Sequence, residues 1–189
     1  HVPGEVVFAG LQHSARRRHR IAAALHLDRV EVRPVGLVIV GVDLAGPESV
    51  NPLSSSEQLS QMSRVFDAVD RRLGRTIHVG ETPHVDIETF LNTVTALNPN
   101  RVAHPIVAFR AWWERKDDRG LKLMQERDLV CELCVKSNLL TRAVNDISEY
   151  GRIINTLDEF GIKYTFSTDA PSLQVTSLAE ELILLLRTG

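Results

Sequence analysis

The chain has 189 residues, 43% of them hydrophobic and 24% charged, the composition of an ordinary globular domain that needs no disulfide staple. Its 22 basic and 24 acidic residues give a formal net charge of −2, which offers no strong field to nucleic acid or to an anionic membrane surface. Two cysteines make no disulfide framework, the residues from His1 to Glu5 do not read as a signal peptide, and the longest apolar runs fall far short of a membrane span, so a cytoplasmic protein is expected.

Short β-branched runs alternate with helical patterns along the chain. A first strand is expected at 6–11, followed by an Arg-rich helix at 14–25 with Ile21, Ala24 and Leu25 on one face. A second strand at 37–44 leads through a polar stretch, 50–56, into a helix at 54–73. There Leu59, Met62, Phe66, Val69 and Leu73 recur at helical spacing. Ser54 and Glu57 have capping-box spacing, and Gly74 stands where a C-cap glycine belongs. A strand at 76–79 precedes a helix at 86–97 whose inward face is Ile87, Phe90, Leu91 and Val94. Strands at 101–104, 129–135 and 163–168 follow, with helices at 118–127, 148–160 and 177–186, the second of these closed by Gly161. The strands recur about every 30 residues, the size of a βαβ unit, and predict an α/β fold with a parallel sheet. Alternation alone leaves a doubly wound sheet and a barrel both open.

Polar residues collect at the C-terminal ends of these strands. Gln12 and His13 follow the first, and Asp43 and Gly46 end the second. His78 and Glu81 end the third, His104 the fourth, Lys136, Ser137 and Asn138 follow the fifth, and Thr168 and Asp169 end the sixth. That edge is the active-site face of barrels and open α/β sheets alike. Other features have plainer readings. His13 serves as a helix cap or a site residue, and Arg16 to Arg20 read as a solvated helix face. Cys131 and Cys134 have CxxC spacing but no second pair, which argues against a zinc ribbon. Trp112 and Trp113 suit a core or a pocket wall, and His26 and His84 read as surface residues. No glycine-rich phosphate loop follows any strand.

His78 and Glu81, three residues apart at the end of a buried strand, can point into one cavity. Histidine is the commonest metal ligand, and a glutamate beside it can carry a proton. Asp169 adds a hard oxygen from another strand and His104 a further imidazole. Together they predict a metal-dependent hydrolase.

These residues resemble the adenosine/AMP deaminase family of the amidohydrolase superfamily. Val42-Asp43-Leu44-Ala45-Gly46 with Glu48 is similar to the family's DLAG-x-E strand end, and Thr76-Ile77-His78-Val79-Gly80-Glu81 to its T-x-H-A-G-E. Arg101-Val102-Ala103-His104 resembles R-[IV]-G-H, Glu132-Leu133-Cys134 with Ser137-Asn138 resembles E-x-C-P-x-S-N, and Ser167-Thr168-Asp169 before Pro171 resembles N-T-D-D-P. The resemblance implies a TIM-type (β/α)8 barrel with one zinc ion. It makes His78 and Asp169 zinc ligands, Glu81 the acid that protonates a purine ring nitrogen, and His104 the residue that orients or activates the attacking water. Gly46 would offer its backbone N–H to the substrate, with Asp43 and Ser137 also on the substrate side. The implied activity is hydrolytic deamination of a purine nucleoside or related amino-heterocycle, with release of ammonia.

The sequence departs from the family at three places. No H-x-H occurs at a strand end, and those histidines are zinc ligands in the family. Ala170 stands where the family has a second aspartate, which implies a different amino-heterocycle. Pro105 and the pair Val135-Lys136 replace family residues beside two other motifs. Six βα units fill residues 1–189, so the expectation is one partial barrel domain carrying strands 3–8, without the first two units. The expected partner is a small amino-purine or similar heterocycle, with a missing N-terminal segment or a second copy as protein partner, and neither nucleic acid nor membrane. Two alternatives stand beside this reading. One is a hydrolase of another C–N bond, and the other a metal-poor, catalytically impaired binding module.

Overall fold

The structure is a computed structural model and describes residues 6–12, 38–46, 48, 55–70 and 72–186. Six strands form one sheet: β1 (Val6–Gln12), β2 (Val38–Ala45), β3 (Gly74–His78), β4 (Arg101–Ala103), β5 (Val130–Leu133) and β6 (Lys163–Phe166). All pairs are parallel, and the strands lie side by side in chain order. That order separates the two architectures left open by the alternation. A doubly wound sheet reverses its order at a switch point, whereas a barrel lays each new strand beside the last. The six strands are an arc of a TIM-type barrel.

The register sorts side chains onto two faces, because neighbours along a strand point to opposite sides. One row across the sheet runs Leu44, Ile77, Val102, Cys131, Tyr164. This is the apolar face, and its middle members Ile77, Val102 and Cys131 are completely buried. The rows on either side face the other way and hold Asp43, Thr76, Arg101, Val130 and Lys163, then His78, Ala103, Glu132 and Thr165. Arg101 and Glu132 form an ion pair on this polar face. Sequence alternation thus sends packing to one side and chemistry to the other.

Eight helices are described: α1 (Ser56–Ala68), α2 (Ile87–Leu97), α3 (Ile106–Arg115), α4 (Arg119–Glu126), α5 (Val135–Leu140), α6 (Glu149–Phe160), α7 (Pro171–Gln174) and α8 (Leu178–Leu185). Their buried residues, among them Phe66, Phe90, Phe109, Leu121, Met124 and Leu157, join the apolar strand face in one core. The capping signals hold at several ends. Asp86 Oδ1 accepts from Thr89 N at 2.8 Å, Ser177 Oγ from Glu180 N at 3.3 Å, and Gly161 closes α6 at φ 64°.

Several boundaries differ from the sequence reading. α1 stops at Ala68, and Gly74 opens β3 instead of capping a helix. Asp70 explains the early stop: its Oδ1 accepts the Arg72 backbone N–H at 2.9 Å, a local turn that competes with helix. The N-cap is Ser55, whose Oγ accepts from Gln58 N at 3.1 Å. The sixth of the predicted strands ends at Phe166, and the fifth ends at Leu133 because residue 135 already begins α5. α3, α5 and α7 were not foreseen; the first carries Trp112 and Trp113 outward from the sheet, where Trp113 Nε1 donates to Thr156 Oγ1 at 3.1 Å and Trp112 meets the Phe160 ring edge-on. The predicted helix at 14–25, its arginines, His13 and His26 lie outside the described residues. Among the described residues, no helix is long and apolar enough to cross a membrane.

Candidate metal centre

Three side chains from three strand ends converge at the C-terminal edge of the sheet. His78 is the last residue of β3, His104 follows β4, and Asp169 follows β6. One ligand atom from each lies within 4.8 Å of the others. His104 Nε2 is 3.1 Å from His78 Nδ1, and the Asp169 carboxylate is 4.0 Å from each. His104 and Asp169 both sit in the left-handed backbone region, at φ 57° and 54°. Side chains rarely adopt that conformation without a surrounding structure that holds it, and it clusters at functional sites.

Each of the three has a partner behind it. Asp43 Oδ2, from β2, lies 3.2 Å from His78 Nε2. Asn138 Oδ1 lies 2.6 Å from His104 Nδ1. Ser137 Oγ donates to Asp169 Oδ2 at 2.7 Å. Asn138 is itself oriented: its amide donates to Tyr150 Oη at 2.8 Å, and Tyr150 Oη donates to the Cys134 carbonyl at 3.2 Å. The Asn138 oxygen therefore faces His104, puts the proton on Nδ1 and leaves the Nε2 lone pair aimed at His78. Asp43 does the same for His78, so Nδ1 faces inward. Two imidazole nitrogens 3.1 Å apart cannot both present lone pairs unless positive charge lies between them. A proton supplies that charge, and so does a metal ion. Burial disfavours a charged His78, but the carboxylates of Asp43, Asp169 and Glu132 outweigh it and hold its pKa above the ordinary histidine value.

Glu81 lies beside the cluster, with Oε1 3.7 Å from His104 Nδ1. The same oxygen accepts from Thr141 Oγ1 at 2.8 Å, across 60 residues of chain. Its loop is tightly held. Gly80 has φ 93°, and a Cβ there would stand 2.7 Å from Val107 Cγ1 and 3.2 Å from Phe90 Cδ2, so glycine is required. Gly80 O also accepts the Val107 N–H at 2.8 Å.

Of the residues singled out in the sequence, His78, Glu81, His104 and Asp169 are brought together. Asp43 and Ser137 touch two of them. Gly46 is exposed at the end of β2, and a Cβ there would meet nothing within 4 Å. Both cysteines are buried, Cys131 on the apolar face and Cys134 capping α5, and burial pushes both thiols up. His84 is an exposed loop residue. Thr141 and Tyr150 were missed. Neither belongs to a strand-end motif, and each reaches the site only because α5 and α6 fold back beneath it.

The donor set suits a first-row divalent ion. At bond lengths of about 2.0–2.2 Å, two ligands of a tetrahedral ion lie roughly 3.3–3.6 Å apart, between the 3.1 Å and 4.0 Å separations here. Two imidazoles and a carboxylate, each with an outer hydrogen-bond partner, match the way metal-binding side chains are usually oriented. A sequence model of the family described as adenosine deaminase matches residues 10–188. The chain is 31% identical over 156 residues to the aminodeoxyfutalosine deaminase of Acidothermus cellulolyticus, covering 80% of this chain and 40% of that protein. It is 30% identical over 165 residues to an adenosine deaminase of Clostridium kluyveri, covering 87% and 43%. The N6-methyl-AMP deaminase of Arabidopsis thaliana shares the fold at a TM-score of 0.70 and 22% identity, covering 97% of this chain and 48% of that structure. The chain thus spans less than half the length of the relatives it matches. With the family's strand-end residues gathered at one edge of a barrel-type sheet and the match running almost from end to end, the chain belongs to the adenosine deaminase family.

Proposed function

We propose that the protein is a zinc-dependent hydrolytic deaminase of a purine nucleoside or related amino-heterocycle, and that this chain carries its acid–base residues and part of its metal site. The observation that carries the reading is the convergence of His78, His104 and Asp169 beside Glu81. Relatives are named for aminodeoxyfutalosine, adenosine and N6-methyl-AMP deamination, which supports an amino-purine type of substrate. Ala170 in place of the family's second aspartate favours a substrate other than adenosine itself.

His78 and Asp169 would hold the zinc ion, which would supply hydroxide at neutral pH by lowering the pKa of a water to about 7. His104, with Nδ1 committed to Asn138, turns Nε2 toward the attacking water and orients it. Glu81 carries the proton. As the new C–O bond forms at the ring carbon bearing the amino group, the Glu81 carboxyl protonates the adjacent ring nitrogen. The C–N bond to the exocyclic amine then breaks. The amine takes the proton of the added hydroxyl and leaves as ammonia, and a carbonyl remains on the ring. Gly46 offers its N–H to the ring at the open end of β2. Asp43 and Ser137 border the substrate and also hold His78 and Asp169 in place.

The test is ammonia release from a panel of aminopurines and related heterocycles by the full-length gene product, with metal content measured alongside. Zinc-dependent release from at least one is expected, and release from none overturns the reading. Glu81→Gln is expected to lower turnover about 100- to 10,000-fold at unchanged metal content. Turnover that survives the change removes Glu81 from its role.

A further inference from the structure

Glu48 lies two residues beyond Gly46, in the motif that ends β2, and no step above uses it. Its carboxylate takes four hydrogen bonds. Oε1 accepts from Gly80 N at 2.5 Å and Glu81 N at 3.1 Å, and Oε2 accepts from Thr82 N and Thr82 Oγ1, both at 2.6 Å. Three successive backbone N–H groups around an anion form a nest, here filled by a side chain from the neighbouring strand end. Four donors use up the four lone-pair sites of the carboxylate, so Glu48 is neither a free base nor a spare metal ligand. The loop is gripped from the other side by Val107 N–H on Gly80 O and by the Val107 and Phe90 side chains against Gly80.

We propose that Glu48 is a positioning residue whose carboxylate clamps residues 80–82 and thereby sets the direction of the Glu81 side chain. The proposal rests on the reading of Glu81 as the proton carrier. The chemistry of the clamp favours an acceptor-only group, because three of the four partners are backbone N–H groups that can only donate. Glutamine, of the same length, would turn one oxygen into an N–H2 facing two of those donors. With Glu81 N–H released, the carboxyl would remain tethered only through Thr141, and a displacement of about 1 Å at a reacting group can cost roughly 100-fold in rate.

The experiment compares Glu48→Gln and Glu48→Ala with the wild-type protein and with Glu81→Gln. Amide hydrogen exchange at Gly80, Glu81 and Thr82 is expected to speed up at least about tenfold in both Glu48 variants, the loss that charge-assisted bonds to backbone N–H groups predict. Protection at Val102 and Leu133, in the core strands, should not change. With the substrate found above, kcat should fall about 10- to 100-fold while KM stays within about threefold and metal content is unchanged. In the Glu81→Gln background, Glu48→Gln should change kcat no further, because the two act through one side chain. Unchanged exchange at residues 80–82, an unchanged kcat, or a fall in kcat that is fully additive with Glu81→Gln each overturns the proposal. If the wild-type protein releases ammonia from no substrate, the deaminase reading fails separately. Exchange then decides the clamp: loss confined to residues 80–82 sustains it and unchanged protection overturns it.

Discussion

Around β3, β4 and β5 the apolar side chains are sealed, and Ile77, Val102, Phe109 and Leu133 have no exposed surface. At the C-terminal edge, Leu173 is 81% exposed and Leu186 82%, with Val175, Leu178 and Ile183 also open. The residue types are the same in both regions. The difference is neighbours: α2, α3, α4 and α6 pack against one another over the apolar strand face, while among the described residues α8 lies mainly against α5 and β6. Burial here follows position along the arc and not hydrophobicity. The candidate metal centre straddles the two regions. His78 and His104 come from the sealed block, with His104 almost wholly buried, whereas Asp169 comes from the open edge and is steadied by Ser137 and by Gln174, which donates to it at 3.0 Å.

The contrast can be broken first in the sealed block. Phe109→Ala removes a ring packed among fully buried neighbours and stacked on Trp113 at 5.9 Å. Urea denaturation should show a loss of about 3–5 kcal/mol. A loss under about 1 kcal/mol would mean that the block is no better packed than the edge. Gly80→Ala is next. Its backbone at φ 93° costs a side chain about 1–3 kcal/mol, before the clash with Val107 is added. The same denaturation measurement checks it, and a neutral result would remove the argument that the loop bearing Glu81 is rigid.

How far the sequence reveals this molecule depends on which physical signal each part leaves. All six strands were visible because a buried parallel strand is a short β-branched run and each ends in a polar cluster. The choice between barrel and doubly wound sheet could not be read from the alternation, since strand order is a property of pairing and not of any window of residues; it came from the resemblance of the strand-end motifs to the family. α3 was missed because Ile106 to Trp113 is as β-branched and aromatic as a strand; in the structure it is a helix that buries Ile106, Ala108, Phe109 and Ala111, a case of tertiary packing outweighing local propensity. In the site, His78, Glu81, His104 and Asp169 stood out as single residues at strand ends. Thr141, Tyr150 and the use of Asn138 as a bridge did not, because their roles are set by contacts across long stretches of chain. The clamp by Glu48 belongs with them: the motif marks the residue, but only the packing shows that it faces four donors.

The smallest effects are expected in α8, where the usual arrangement is reversed. Glu181 is its one fully buried residue, and it accepts from Lys136 N and Thr176 Oγ1, both at 2.9 Å. Leu182, its neighbour, is exposed. Glu181→Ala would leave two donors, one of them the N–H near the start of α5, without their acceptor, and should cost about 1–3 kcal/mol. Leu182→Ser exchanges an apolar surface residue for a polar one and should stay within about 0.5 kcal/mol. Ordinary helix logic ranks these two the other way, since it assigns the leucine to the core and the glutamate to water. Measured by urea denaturation, a larger loss at Leu182 than at Glu181 would show that this face of α8 is covered in solution, and the open edge would then be as closed as the block around β4.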